Sequence, residues 1–302
     1  MKKPSRPIAV LQALFVTFLW ATSWVLIKIG LRADLPAVTF AGLRYGLAFL
    51  CLLPFVLFRP ATRLELKNLS AREWGSLALL GLVYYTLTQG AQYLALSYLP
   101  AAMVSLLLSL TSLTIGAVGI VLLRELPSGL QWAGVALASV GVGVYFLPLT
   151  LQKGQTLGLL FGGVCVLANT AASLLGRNIN RQGRLSPLIV TFVSMGIGAA
   201  VMLGAGLATQ GLGSLAWKEW AIVLFLAVVN TAFAFTLWNN TLRTLTAVES
   251  GVLNNLIMPQ IVILAVIFLG EGLTVKAVIG LALVGAGSLI VQLKPREAGA
   301  AG

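Results

Sequence analysis

Two positively charged residues lie inside long apolar stretches of this 302-residue chain, where a charge could bind an anion. Lys28 lies about one helical turn from the end of the first stretch, and Arg44 lies about eight residues into the second. A charge at membrane depth costs at least about 2.5 to 3.5 kcal/mol on insertion scales, so it needs a partner, water or a function. Because a guanidinium binds carboxylates through paired hydrogen bonds, Arg44 is a candidate for binding an acidic or zwitterionic substrate.

Both charges also have structural interpretations. Lys28 can extend its ammonium group to the outer membrane interface. Arg44 can brace neighbouring helices or bond backbone carbonyls instead of facing a cavity. When the two halves of the chain are compared, Arg44 aligns near Met195 and Gly196 and Lys28 aligns near Leu175, so neither charge has a charged counterpart. The sequence leaves these alternatives open.

Polar side chains recur at helical spacing in several apolar stretches. Residues four and seven positions apart share one face of a helix, as Tyr85, Gln89 and Gln92 do. A single stripe can simply hydrogen-bond a neighbouring helix, but stripes on four related helices favour a central polar pathway. The predicted substrate-binding residues are Trp20, Ser23, Lys28, Arg44, Tyr85, Gln89, Gln92, Ser109, Asn230, Trp238, Asn254 and Asn255.

The residue types argue against an enzyme. The chain contains no histidine, and its eight carboxylates all map to loops or to the ends of apolar stretches. A membrane enzyme needs a base, a nucleophile or a metal at membrane depth, so we predict neither catalysis nor a metal or cofactor. Proton-coupled carriers commonly use a buried acid or histidine. Since no such residue is evident, facilitated exchange or efflux is favoured.

Membrane spans are the elements that must position these side chains. The chain is 59% hydrophobic and 9% charged, with a mean hydropathy of +0.97. Continuous apolar runs of about 20 residues indicate helices that cross a bilayer. We predict an all-α polytopic membrane protein with ten transmembrane helices, at about 8–31, 36–58, 74–96, 101–123, 128–148, 155–176, 187–209, 219–241, 250–269 and 274–293.

The predicted spans divide into two repeats. Aligning residues 73–149 with residues 219–295 without a gap gives 17 identities in 77 positions, at an offset of 146 residues. Each half holds five spans, and because five is odd the second copy enters the membrane from the opposite side, as in many alternating-access transporters. The predicted domains are therefore residues 1–149 and 150–302, two inverted five-helix repeats.

Lys and Arg are distributed unequally between the two predicted sides of the membrane. Fourteen lie in the termini and loops on the amino-terminal side, and four lie on the other side. Because positively charged loops stay in the cytoplasm, both termini are predicted to be cytoplasmic, in the inner (plasma) membrane of the cell. The net charge of +12 then reflects topology and contact with anionic lipid head groups, and no nucleic-acid partner is predicted.

Structural or gating roles are predicted for three residues. Pro259 lies inside the ninth span, where proline kinks a helix. Glu125 and Glu271 occupy equivalent positions in the two repeats. The fifth and tenth spans are rich in glycine and suit tight packing, either within one chain or between two copies. A monomer and a homodimer are both compatible with the sequence.

Three motifs in this sequence resemble the EamA family of the drug/metabolite transporter superfamily. They are Phe18-Leu19-Trp20-Ala21-Thr22-Ser23-Trp24, then Leu35-Pro36 with Gly42-Leu43-Arg44-Tyr45, and finally Thr246-Ala247-Val248-Glu249-Ser250-Gly251 with Met258-Pro259, Leu269-Gly270-Glu271 and Gly280. Two departures are Ala21, where glycine is usual, and Leu113, where the first repeat often has proline. The resemblance covers nearly the whole chain.

The resemblance implies a ten-helix carrier in which spans 1, 3, 4, 6, 8 and 9 surround a central cavity. Members of that family often export amino acids or related metabolites. We therefore expect a secondary transporter that exports amino acids or related amphipathic compounds by alternating access, with a small-molecule substrate and the lipid bilayer as partners. The alternatives are an importer or exchanger of another organic metabolite and a membrane receptor that transports nothing.

Overall fold

A computed structural model describes residues 4–111, 114–115, 118, 129–146, 154–181, 184–241, 244–245, 253–254 and 256–292. All regular secondary structure in these ranges is helical. The helices are α1 (Arg6–Arg32), α2 (Ala37–Leu57), α3 (Pro60–Lys67), α4 (Ala71–Gly81), α5 (Gly90–Tyr98), α6 (Ala101–Ser109), α7 (Gly129–Phe146), α8 (Gln155–Arg181), α9 (Pro187–Gln210), α10 (Trp217–Ala227), α11 (Ala234–Thr241), α12 (Ile257–Leu269) and α13 (Val275–Gln292). Two π-helical segments join α4 to α5 (Leu82–Gln89) and α10 to α11 (Val228–Phe233).

Four of the described helices are long and apolar enough to cross a membrane by themselves. They are α1, α2, α8 over Gln155–Gly176, and α9. Shorter apolar helical segments cover Trp132–Tyr145, Ile257–Leu269 and Val275–Gly287. Every predicted span contains helix, so the all-helical prediction is confirmed over the described residues. The count of ten spans stays a prediction.

One helix lies where the sequence analysis placed a loop. α3 covers eight residues of the predicted loop at 59–73 and begins with a proline at its first position, where the missing N–H costs no helical hydrogen bond. The next helix, α4, begins with a capping box in which Ser70 and Glu73 satisfy one another's backbone N–H groups. α3 is short and polar, so its sequence does not indicate a membrane span.

The two π-helical segments occupy equivalent positions in the two halves. They begin at Leu82 and Val228, which are separated by the same 146 residues as the sequence repeat. A threonine hydroxyl bonds a carbonyl five residues earlier in each half: Thr88 donates to Val83 O at 2.8 Å, and Thr231 donates to Leu226 O at 2.8 Å. π-bulges occur frequently at functional sites. The duplication therefore preserves an irregular turn as well as apolar spans.

Helices that are mates in the repeat pack against each other in opposite directions. In α2 and α9, Gly42 lies against Leu203, and Gly206 lies against Thr39. The pairing continues at the end of α9, because Val38 N–H donates to Gln210 Oε1 at 2.9 Å. Residue numbers at successive contacts increase along α2 and decrease along α9, so the two helices are antiparallel.

The glycine-rich helices α7 and α13 repeat this arrangement within one chain. A Cβ on Gly141 would lie 2.7 Å from Gly280 O, and a Cβ on Gly280 would lie 2.8 Å from Gly141 O. Gly287 is equally close to α7, because its Cβ would lie 2.6 Å from Ala138 N. Small residues let the two backbones approach, as they do at membrane helix interfaces. These glycines are thus used inside the monomer.

The largest apolar core joins α1, α2, the segment from α4 to α6, α9 and α10. Its largest fully buried side chains include Tyr93, Phe40 and Met202. Close glycine contacts hold the core together, since a Cβ on Gly81 would meet α9 at Ser194 and one on Gly198 would meet the backbone of Gly81. This packed block is the scaffold on which the candidate site is built.

Pro259 lies in the first turn of α12, which begins at Ile257, and residues 253–254 are also helical. Near a helix start the N–H that proline lacks has no intrahelical partner anyway. The gating role of Pro259 stays a prediction.

Candidate functional site

A cavity of about 560 Å³ lies among the helices and combines one charge with aromatic and amide side chains. The charge is that of Arg44 from α2. Both halves of the chain contribute, since α1, α2 and the first π-helical segment face residues of α11 and α12. The lining residues are Trp20, Ser23, Trp24, Arg44, Tyr45, Tyr84, Gln89, Gln92, Phe235, Trp238, Asn254 and Ile257.

Arg44 is both braced by neighbouring helices and turned to the cavity. Its side chain is 5% exposed. Nε donates to Thr231 Oγ1 at 3.1 Å, Nη1 donates to the Tyr93 hydroxyl at 3.4 Å, and the guanidinium carbon lies 5.1 Å from the centre of the Tyr45 ring. Arg44 therefore bonds neighbouring helical segments and also lines the cavity.

The partners of Arg44 among the described residues are neutral. A buried cation with hydroxyl and aromatic partners keeps its full charge available to an anion, and charge-assisted hydrogen bonds to a guanidinium are stronger than neutral ones. The Tyr45 hydroxyl in turn donates to Gln89 Oε1 at 2.7 Å, which fixes the amide beside the cation. This side of the cavity offers donors to a carboxylate.

An aromatic wall faces the other side of the cavity. The rings of Trp20 and Trp238 are 5.2 Å apart between centroids, and those of Trp20 and Phe235 are 5.3 Å apart. The interplanar angles are 51° and 55°, so the rings are tilted rather than stacked. The buried Trp20 Nε1 has no hydrogen-bond partner among the described residues, which is unusual for a buried indole. These rings suit an apolar group or, through their faces, a cation.

Seven of the twelve predicted binding residues line this cavity. They are Trp20, Ser23, Arg44, Gln89, Gln92, Trp238 and Asn254. Ser109 lies instead in a neighbouring cavity of about 290 Å³. Asn255, and Glu125 of the predicted gating set, lie outside the described residues.

Lys28 is not among the lining residues of this cavity and contacts the end of α5. Its ammonium group donates to Leu96 O and, at 2.7 Å, to Leu99 O. These carbonyls belong to the last turn of α5, where a cation is favoured by the unpaired carbonyls and the helix dipole. Sequence reasoning could not anticipate this partner, because it is about 70 residues away along the chain.

Tyr85 and Asn230 also lie away from the cavity lining. Tyr85 is buried, with its ring 5.4 Å from that of Tyr45 and its Cβ against Gly198. Asn230 is 0% exposed and donates from Nδ2 to Leu19 O and to Thr22 Oγ1. The recorded contacts of both residues are with other parts of the bundle, and a substrate-binding role for either stays a prediction.

Five lining residues were not among the predicted binding residues. They are Trp24, Tyr45, Tyr84, Phe235 and Ile257. Trp24 follows Trp20 at a spacing of four, so helical periodicity could have placed it on the same face. Ile257 carries no polar signal, and only the tertiary arrangement reveals its position.

Polar contacts join several helix ends at one end of the bundle. Glu271 accepts hydrogen bonds from the N–H groups of Ala101 at 2.7 Å and Ala102 at 3.2 Å, which are the first two residues of α6. Arg32, in the last turn of α1, donates to Leu269 O of α12 at 3.0 Å. Together with Lys28, these residues tie α1, α5, α6 and α12 to one another.

Comparison with known proteins identifies transporters over most of the chain. It is 29% identical over 261 residues to an uncharacterised transporter of Archaeoglobus fulgidus, covering 85% of this chain and 86% of that one. It is 25% identical over 305 residues to the uncharacterised transporter YvbV of Bacillus subtilis, covering 100% and 97%. It is 27% identical over 295 residues to a probable amino-acid metabolite efflux pump of Salmonella typhimurium, covering 92% of each chain.

A crystal structure shares the fold, with a TM-score of 0.67 and 19% identity over 95% of this chain and 98% of the other. The family model of EamA-like transporters matches twice, at residues 7–147 and 156–293, and so extends over nearly all of the sequence. These names describe transporters, in agreement with the prediction from the sequence that the protein is not an enzyme. The chain belongs to the EamA-like transporter family.

Proposed function

We propose that this protein is a secondary transporter that exports amino acids or related amphipathic metabolites by alternating access. The observation that carries the proposal is the cavity in which Arg44 stands beside an aromatic wall. A carboxylate can pair with the guanidinium while an apolar side chain contacts Trp20, Phe235 and Trp238. The relative named as a probable amino-acid metabolite efflux pump supports the same substrate class.

Ten spans in two inverted five-helix repeats, residues 1–149 and 150–302, are part of the proposal. Support comes from the antiparallel packing of mated helices, α2 with α9 and α7 with α13. Two oppositely inserted halves can exchange conformations, so that a central site opens to one side and then to the other. In this proposal the contacts of Lys28, Arg32 and Glu271 form the gate at one end of the bundle.

The location of that gate follows from the charge bias. With both termini in the cytoplasm of an inner (plasma) membrane, the end that holds Lys28, Arg32 and Glu271 faces outward. The cavity would then be loaded from the cytoplasm, as export requires. No acidic residue is among the lining residues described, and substrate exchange or efflux down a gradient needs none.

The test is transport by purified protein in liposomes, with the chain inserted in both orientations. We expect an inward gradient of a labelled amino acid to drive uptake, and an outward gradient to drive release, at rates above those of empty liposomes. An importer or exchanger would show the same flux with a different preferred direction in cells. A receptor would bind a panel member without moving it, and that result would reject the transport proposal.

A further inference from the structure

A second cavity adjoins the first and has a different chemical character. It has a volume of about 290 Å³ and shares Trp24, Asn254 and Ile257 with the larger cavity. The remaining wall includes hydroxyl and amide side chains of α6, Thr111 and α8. Because the shared residues border both spaces, the two cavities lie next to each other.

Two serine hydroxyls in this second cavity donate their hydrogens to backbone carbonyls. Ser105 Oγ donates to Ala102 O at 2.8 Å, and Ser109 Oγ donates to Leu106 O at 2.5 Å. A hydroxyl has one donor and two acceptor lone pairs, so both oxygens are left as acceptors. They can receive hydrogen bonds from a ligand without losing their own.

The amide of Asn169 extends the same pattern. Its Nδ2 donates one of its two hydrogens to Thr111 Oγ1 at 3.3 Å, and its carbonyl oxygen is an acceptor. Thr111 and Ser105 are buried, at 7% and 5% exposure. The oxygens of Ser105, Ser109 and Asn169 therefore provide acceptors on the wall of this second cavity.

No charged side chain is among the described residues of this wall. An ammonium group bound here would be a desolvated charge without a counter-charge, which is costly in a buried site. An uncharged N–H or O–H group meets the same acceptors without that cost. The chemistry of the second cavity therefore matches a carboxamide or hydroxyl donor and disfavours a cation.

We propose that the second cavity is a subsite of the transport site and binds an uncharged hydrogen-bond donor on the substrate whose carboxylate pairs with Arg44. The inference rests on the proposed transport function and narrows its substrate class to carboxylates that carry a carboxamide or hydroxyl group several bonds away. Glutamine has these features. Methionine, of similar length, has the carboxylate without the donor, and lysine ends in a cation.

The experiment measures uptake of labelled glutamine, methionine and lysine by the full-length protein in liposomes. The unaltered protein is expected to transport glutamine with the lowest KM. Ser109→Ala and Asn169→Leu are expected to raise the KM for glutamine about three- to tenfold, the equivalent of one lost hydrogen bond. The KM for methionine should stay within about twofold, because no donor enters the subsite.

The matched control is Ser97→Ala. Ser97 makes the same bond to a carbonyl three residues earlier, at 2.7 Å, but is exposed and borders neither cavity. It should leave all three KM values unchanged, and gel filtration of each variant checks that it folds. Ser105→Ala provides a second variant on the same wall.

The outcomes separate the subsite from the transport function. Transport of methionine but not of glutamine, or equal losses for both in Ser109→Ala, would overturn the subsite and leave the transporter standing. Preferred transport of lysine would overturn the argument about charge. A protein that moves none of the three above empty liposomes would contradict the proposed function itself, and the subsite with it.

Discussion

Arg44 of the first half donates a hydrogen bond from Nε to Thr231 Oγ1 of the second half, at 3.1 Å. Thr231 lies in the second π-helical segment, and its hydroxyl donates a hydrogen bond to Leu226 O, five residues earlier. The irregular turn thus orients the acceptor that holds the guanidinium. Because Nη1 also donates to the Tyr93 hydroxyl, Nη2 is the guanidinium nitrogen without a hydrogen-bond partner among the described residues, and it is the proposed donor to a carboxylate.

Replacing the cavity cation tests that recognition. Arg44→Gln is expected to raise the KM for carboxylate substrates about tenfold or more, since hydrogen bonds to charged groups contribute about 1.5 to 3 kcal/mol. Arg44→Lys should recover only part of this, because an ammonium lacks the planar fork. The measurement is liposome uptake of an amino acid and of its amide derivative, which lacks the carboxylate. Equal losses for both compounds would indicate a purely structural role for Arg44.

Asn230 and Trp238 are predicted to have different roles, a structural one for Asn230 and a substrate-binding one for Trp238. Asn230→Ala removes buried hydrogen bonds to α1 and is expected to lower the free energy of unfolding by about 1 to 3 kcal/mol, with little change in KM. Trp238→Ala removes part of the aromatic wall and should raise KM. Thermal unfolding in detergent and liposome uptake provide the two readouts. A large KM effect of Asn230→Ala without destabilisation would place that side chain in the binding site.

The close approach of α7 and α13 predicts intolerance of side chains at their crossing. Gly141→Val is expected to destabilise the protein by about 1 to 3 kcal/mol, because the added atoms would meet the backbone of α13. Gly163→Ala is the control, since nothing lies within 4 Å of its Cβ position and alanine favours helix. Thermal unfolding should separate the two variants. Equal stability would contradict the packing of these helices within one chain.

The contacts of Glu271 predict a shift in the conformational equilibrium. Glu271→Ala removes the acceptor for two N–H groups at the start of α6 and should weaken the closed end by about 1 kcal/mol, a typical helix-cap contribution. In a background without Cys51 and Cys165, a cysteine at Gln92 should then react faster with an impermeant reagent added from outside. An unchanged labelling rate would show that this end is not the outer gate.

Helical spacing predicted some of the cavity-lining residues better than it predicted the partners of single charges. Gln89, Gln92 and Trp238 line the cavity, whereas Tyr85 and Asn230 of the same polar stripes do not. Substrate binding by these residues stays a prediction. The π-helical segments left no signal in hydropathy. Their existence depends on backbone hydrogen bonds that apolar composition does not encode.

Long-range partners account for the remaining differences. Lys28 bonds the end of α5, and Arg44 is held by Tyr93 and Thr231, which are 49 and 187 residues away along the chain. Pro259 was assigned to the middle of a span because the apolar run continues on both sides, whereas α12 begins only two residues before it. Tertiary contacts and helix boundaries of this kind are set by packing rather than by local composition.

The most direct test of the central claim is trans-stimulation in liposomes. Influx of a labelled amino acid is measured with and without the same unlabelled amino acid inside. A carrier whose two halves alternate around the Arg44 cavity is predicted to show faster labelled influx when unlabelled substrate is present inside, because the loaded site returns more readily than the empty one. Labelled influx that is fast but indifferent to internal substrate would indicate a pore, and no influx at all would contradict the account.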